Sequence, residues 1–252
     1  MPAKGGLRIG TSGWHYSHWK GPFYPDDMHA GDMLEFYMGR FDTVEINNSF
    51  YQLPEKKTLR AWRDKVPDDF TFAVKASRYI THMKKLKDPG KSTKRFFNRM
   101  DALGDKLGPI LFQLPPRWKF NAERLKQFLD VLSEDFRYTM EFRDTTWFTE
   151  QAYDILEEYG VAFCIYQLAG RLSPRQVTSD FVYVRLHGPT SKKYEGSYSA
   201  RSLAGWAGAF STWTRSRAAA SLVATTSGVF SWMASSRWSS SWSVVRATSR
   251  ST

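Results

Sequence analysis

The sequence predicts an α/β fold: a (β/α)8 barrel of the TIM type with seven clear strands and a doubtful eighth. Three observations carry this. The chain has 252 residues, the usual size of one such barrel. Short β-rich runs alternate with helical stripes, as parallel βαβ units require. Most of the runs are almost continuously apolar, as strands covered on both faces must be.

The seven strands are expected at residues 7–12, 42–47, 70–75, 109–114, 138–142, 161–166 and 181–186. Between them, apolar stripes at helical spacing mark the helices. Met33, Leu34, Tyr37 and Phe41 form the first. Phe96, Phe97, Met100, Leu103 and Leu107 form the next, closed by Gly108. Leu125, Phe128, Leu129 and Leu132 follow, then Ala152, Ile155, Leu156 and Tyr159, ended by Gly160 at the C′ position. Leu203, Trp206, Ala207, Phe210 and Trp213 make the last stripe. An eighth strand is due after it, and residues 221–226 and 228–232 are the candidates. Neither ends in polar residues like those of the other strands. Strands one and seven are therefore expected to lack a well-matched partner, leaving a barrel that closes incompletely. No structure is assigned beyond Ser235.

Composition divides the chain into a barrel domain, 1–214, and an aberrant Ser/Arg/Trp-rich tail, 215–252. The net charge of +11 suggests an anionic partner. Its distribution weakens that argument, because residues 197–252 hold six Arg and no acid. The same 56 residues hold sixteen Ser, ten Ala and five of the ten Trp. Three readings fit: a Ser/Arg nucleic-acid-binding tail, a biased C-terminal domain, or out-of-frame translation of a GC-rich gene. Cys164 is the one cysteine, so no internal disulfide framework can form. The N-terminus lacks the apolar run of a signal peptide, and no apolar run reaches membrane-spanning length. The expected location is the cytoplasm.

Candidate chemistry sits at the strand ends, where barrel active sites lie. Glu45 and Asn47 end strand two, Glu141 and Arg143 end strand five, and Arg185 and His187 end strand seven. Each pair is two residues apart, so both members point to one side of the sheet. Lys75 ends strand three and Gln113 lies near the end of strand four. Buried charges are costly without partners, so these groups must pair around a wet pocket or form a structural ion-pair ring. In the ring, Glu45 would take Lys75, and Glu141 would take Arg143 or Arg185. The loop after strand one is aromatic, and Trp14 and Tyr16 could stack a sugar face or a base. His15 with His18, or Glu45, Glu141, His82 and His187, could be read as metal ligands. Nearby Arg and Lys already neutralise those carboxylates, so no metal is assigned. Glycine-rich nucleotide loops and a nucleophile elbow are absent.

The ordered motifs Gly10-Thr-Ser-Gly-Trp14, Phe23-Tyr-Pro25, Val44-Glu-Ile-Asn47 with Ser49-Phe-Tyr51, and Phe72-Ala-Val-Lys75 resemble the YecE-like family, domain of unknown function 72. Ile80-Thr-His82, Leu111-Phe-Gln-Leu-Pro115, Glu141-Phe-Arg143 with Trp147, and Arg185-Leu-His-Gly188 continue the match. The resemblance covers about residues 7–214. It implies a TIM-like barrel and a pocket that includes Tyr51 and Trp147, and it implies no reaction. It also implies an eighth strand ending in Asn or Asp, which this chain lacks; that supports a change of frame near Arg215.

The leading functional expectation is a pocket for a sugar or a phosphorylated small molecule. Glu45 and Glu141 would serve as acid and base, with His187 as proton shuttle. Trp14, Tyr16, Asn47, Tyr51, Lys75, Gln113, Arg143, Trp147 and Arg185 would bind the anionic or polyhydroxyl substrate. No cofactor is assigned. The alternatives are a nucleic-acid-binding barrel similar in outline to apurinic endonucleases, and a non-catalytic ligand-binding or scaffold protein.

Overall fold

The computed structural model describes residues 6–192, 195–215 and 221–226. Its centre is a curled, largely parallel sheet. The strands are β1 (Leu7–Thr11), β2 (Thr43–Ile46), β3 (Thr71–Lys75), β4 (Leu107–Gln113), β5 (Tyr138–Glu141), β6 (Ala162–Leu168), β7 (Arg171–Leu172), β8 (Phe181–Leu186) and β9 (Ser221–Thr226). Their spatial order is β1-β9-β8-β6-β5-β4-β3-β2, and β7 folds back antiparallel on the end of β6. The seven sequence-predicted strands all occur, with ends shifted by two residues at most.

The expected lack of a partner for strands one and seven is corrected. β9, the first of the two candidate segments, runs parallel to both: Leu7 aligns with Leu222, and Phe181 with Ser221. Its alternation-free apolar middle suits a strand flanked on both edges. Residues 228–232 and everything expected beyond Ser235 lie outside the described residues. At the other end of the order, β1 and β2 meet at a bridge between Ser12 and Glu45, with Gly13 N–H donating to Glu45 O at 2.8 Å. The two strands approach closely just before it. A Cβ on Gly10 would stand 2.0 Å from Thr43 O, so only glycine permits the contact.

Helices α1 (Met33–Met38), α2 (Lys56–Lys65), α3 (Pro89–Met100), α4 (Ala122–Leu129), α5 (Glu150–Glu158) and α6 (Ala200–Arg215) lie in the connections. Asn121 caps α4 by accepting from Arg124 N–H at 2.8 Å, and Thr149 caps α5 by accepting from Ala152 N–H at 3.2 Å. Gly160 has φ +62° just past α5, the left-handed stop its position predicts. Two expectations need correction. The helix meant to run to Leu107 ends as an α-helix at Met100, continues as a 3-10 segment to Lys106, and Gly108 lies inside β4. The strand–helix alternation also breaks once, because only β7 and a loop link β6 to β8.

The core has two parts, separated by the period of two along each strand. Val44, Ile46, Phe72, Val74, Ile110, Phe112, Met140, Phe142, Phe163, Ile165, Val182 and Val184 point outward against the helices. A smaller cluster lines the concave side: Ala73, Leu111, Ala162, Cys164, Phe181 and Tyr183. Each fully buried aliphatic or aromatic side chain contributes about 1.5–3 kcal/mol, so the outer layer holds most of the stabilisation. The same alternation places the charged strand ends directly beyond the inner cluster. Among the described residues, no helix is long and apolar enough to cross a membrane.

Candidate functional site

Glu45, at the end of β2, is fully buried. Its Oε1 accepts from Ser12 Oγ at 2.6 Å and from Arg185 Nη2 at 2.7 Å. Its Oε2 accepts from the Tyr183 hydroxyl and from Arg185 Nε, both at 2.9 Å. Four acceptor positions are thus filled, which is the capacity of a carboxylate. These partners come from the junction just after β1 and from β8, so the contact ties distant strands together.

Arg185 also donates from Nη1 to Glu141 Oε2 at 2.7 Å. Arg143 Nε donates to the other oxygen of Glu141. Cys164 Sγ lies 3.7 Å from Glu141 Oε2. Burial alone would raise the Glu141 pKa, but the Arg143 and Arg185 guanidiniums hold it well below the usual carboxylate range. Burial pushes the Cys164 thiol up, which leaves it an unreactive interior group. His187 is 1% exposed; burial and the field of Arg185 push its pKa well down and keep the imidazole neutral.

Lys75 stands apart from this cluster. It is 8% exposed, and its Nζ lies 4.0 Å from the centroid of the Phe50 ring. Among the described residues no carboxylate lies within ion-pair distance of it. The expected Glu45–Lys75 pair is therefore corrected: Glu45 takes Arg185. Burial first, and then the Arg185 charge, lower the Lys75 pKa to about 8, against the opposing pull of Glu45 and Glu141. Phe50 also packs edge-on against His82, whose Nδ1 is 2.9 Å from Thr81 Oγ1. Burial, and then Lys75 and Arg78, push the His82 pKa down. The Arg143 guanidinium lies over the Tyr166 ring at 4.6 Å.

A cleft of about 220 Å³ lies where the chain leaves β1 and β2, lined by Gly13, Trp14, His15, Tyr16, Asn47, Asn48 and Tyr51. Four sequence-predicted residues meet there: Trp14, Tyr16, Asn47 and Tyr51. Trp14 is held from below by Trp62, edge-on at 4.8 Å, while Tyr51 is 72% exposed. Asn47 Oδ1 is buried without a hydrogen-bond partner. Asn47 follows directly on the aligned pair Ile46–Val74, which sets it beside Lys75 across β2 and β3.

The structure thus brings Glu45, Glu141, Arg143 and Arg185 into one cluster, with Lys75 and His187 within its field. Gln113 is half-buried and aligned with Glu141 between β4 and β5. Trp147 is not brought to the cleft: it is fully buried, stacks on Phe142 and donates from Nε1 to Trp118 O at 2.5 Å. Ser12, Tyr183 and Phe50 were not singled out from sequence. Tyr183 could have been, because it lies two residues before Arg185 and so shares its face. Among the described residues, no three His, Cys, Asp or Glu side chains are grouped to hold a metal ion.

Known proteins resemble the chain over this framework. A structure of a DUF72 family protein from Thermotoga maritima superposes with a TM-score of 0.76 and 26% identity, covering 89% of this chain and 93% of that one. A DUF72 family protein from Enterococcus faecalis is similar in fold alone, with a TM-score of 0.71 and 17% identity over 90% of this chain and 91% of that one. UPF0759 protein YecE of Escherichia coli K12 is 33% identical over 121 residues, or 46% of this chain and 43% of YecE. UPF0759 protein YunF of Bacillus subtilis is 27% identical over 158 residues, or 59% of this chain and 54% of YunF. The aligned segments span about half the length of these curated relatives. A match to the family described as "Protein of unknown function DUF72" extends over residues 8–247, past the last residue of the sequence resemblance, and on that evidence the chain belongs to the DUF72 family.

Proposed function

We propose that the strand ends form a binding pocket for a small anionic molecule bearing hydroxyl groups, such as a sugar phosphate or sugar acid, within a (β/α)8 barrel. The pairing of β9 with both β1 and β8, and the Ser12–Glu45 bridge, support closure of the barrel. The observation that carries the pocket is the charge balance. Two buried carboxylates, Glu45 and Glu141, are matched by two guanidiniums, Arg143 and Arg185, and the Lys75 ammonium is left over. A nearly buried cation without a carboxylate partner is favourable when a ligand supplies the anion.

In this reading Glu45 and Glu141 position the cations. Glu45 has no acceptor position left for a substrate proton, and Glu141 is held ionised. Lys75 and Arg143 bind the anionic group. Trp14, Tyr16 and Tyr51 offer ring faces to the remainder of the ligand, and Asn47 Oδ1 accepts from a ligand hydroxyl. His187, neutral, serves as a hydrogen-bonding group. The test is thermal unfolding in the presence of sulfate, sugar phosphates, sugar acids and the matching neutral sugars. Ligands carrying both an anion and hydroxyls are expected to raise the Tm most. Equal shifts from neutral sugars, or none from any anion, would remove the reading.

A further inference from the structure

Lys75 differs from the other charged groups of the site in having a reactive atom that its surroundings leave unused. Its Nζ is on the concave side of the sheet, at the end of β3, and a ring face rather than a carboxylate lies against it. Ser49 Oγ donates to Lys75 O at 2.6 Å, which fixes the strand end from which the side chain extends. Asn47 stands beside it with an unsatisfied buried carbonyl oxygen. Lysines that act as nucleophiles are made so by desolvation in apolar surroundings and by neighbouring cations. Both conditions occur here: the side chain is nearly buried, and Arg185 and Arg143 oppose its charge.

We propose that Lys75 is an imine-forming nucleophile, and that the ligand class of the pocket includes anionic aldehydes or ketones. The inference rests on the anion-pocket reading and names the reactive group of the same ligand. In the step, the lone pair of neutral Nζ attacks the carbonyl carbon to give a carbinolamine. The carbonyl oxygen then leaves as water with both amine hydrogens, and a C=N bond remains. No oxidant or reductant is consumed. Asn47 Oδ1 is placed to accept a hydrogen bond from the carbinolamine hydroxyl. The charged groups acting on Lys75 are Glu45 from β2, Glu141 and Arg143 from the end of β5, and Arg185 from β8. His82 and His187 sense its charge in turn, and burial pushes both toward the neutral form.

The depressed pKa of about 8 means that near pH 8 about half of Lys75 is the free amine. An exposed lysine with a pKa of about 10.4 is then well under about 1% free amine. The experiment incubates the full chain near pH 8 with glyoxylate and sodium cyanoborohydride, then maps lysine carboxymethylation by peptide mass spectrometry. The reductant's hydride adds to the imine carbon and makes the adduct permanent. Labelling of Lys75 is expected to be at least about tenfold faster than that of an exposed lysine such as Lys57, and to slow when sulfate competes. Lys75→Arg is expected to lose the adduct. Lys75 labelled no faster than Lys57 overturns the proposal. Sulfate binding measured on the same sample separates the two ideas: if it persists while Lys75 stays unlabelled, the pocket reading stands and the imine falls. Because the peptide map is made on the unmodified sequence, it decides the question even if the variant fails to fold.

Discussion

Arg185 grips Glu45 in a two-point contact, Nε to Oε2 at 2.9 Å and Nη2 to Oε1 at 2.7 Å, across 140 residues of sequence. Both side chains are almost wholly withdrawn from solvent. Such a pair is weak evidence for net stability, because desolvation offsets most of the attraction. Its geometry nevertheless fixes how β2 and β8 face each other and where the remaining cations stand.

Replacing Arg185 by Met should therefore be severe. Two carboxylates would stay buried without their shared counter-ion, at a cost of about 3–5 kcal/mol. Urea unfolding measures it. A loss below about 1 kcal/mol would mean that the carboxylates find water or new partners, and that the cluster is not the rigid element described here.

Acid should act through Glu141. Its folded pKa lies below the unfolded value, so its contribution is complete above about pH 4.3 and is lost as the pH falls toward the folded pKa. Glu141→Gln should flatten the acid limb of a stability–pH profile while lowering stability near neutrality. An unchanged acid limb in the variant would contradict the assignment.

Lys75 gives a slope of the same sign on the alkaline side. The unfolded chain binds the Lys75 proton more tightly than the folded one, so between about pH 8 and 10.4 this group adds stability as the pH rises. The Lys75→Met variant should lack that rise. Chemical denaturation across the window, compared between the two proteins, reads the difference directly.

Hydrogen exchange tests the sheet. Amides of β1 and β9 are expected to be protected to a similar degree, since each strand hydrogen-bonds the other. Exchange of residues 222–226 at loop rates would show that the junction is open and would return the chain to the incompletely closed barrel.

The fold was legible where two periodicities were strong. Apolar runs gave seven strands, and i, i+3, i+4 stripes gave five of the six α-helices among the described residues. Helix α2 escaped because Lys-Lys-Thr-Leu-Arg-Ala-Trp-Arg-Asp-Lys sets only Leu59 and Trp62 against the core, too short a stripe to stand out. The site was legible as a layer: residues two apart at strand ends share a face, so Glu45, Glu141 and Arg185 had to converge once the sheet curled. Their pairing was not legible. Whether Glu45 takes Lys75 or Arg185 depends on the path around the curl, which no local pattern encodes. Trp147 shows the reverse case, an aromatic beside a polar motif that packs into the core under Phe142 instead of facing the cleft.

Calorimetric titration with sulfate at about pH 7 and about pH 9.5 tests the anion pocket most directly, because sulfate keeps its charge while Lys75 loses its own above about 8. The account predicts binding at the lower pH, a loss of about tenfold in affinity at the higher, and no such pH dependence in Lys75→Met. Absence of binding at millimolar sulfate, or an affinity that neither the pH nor the substitution changes, would contradict it.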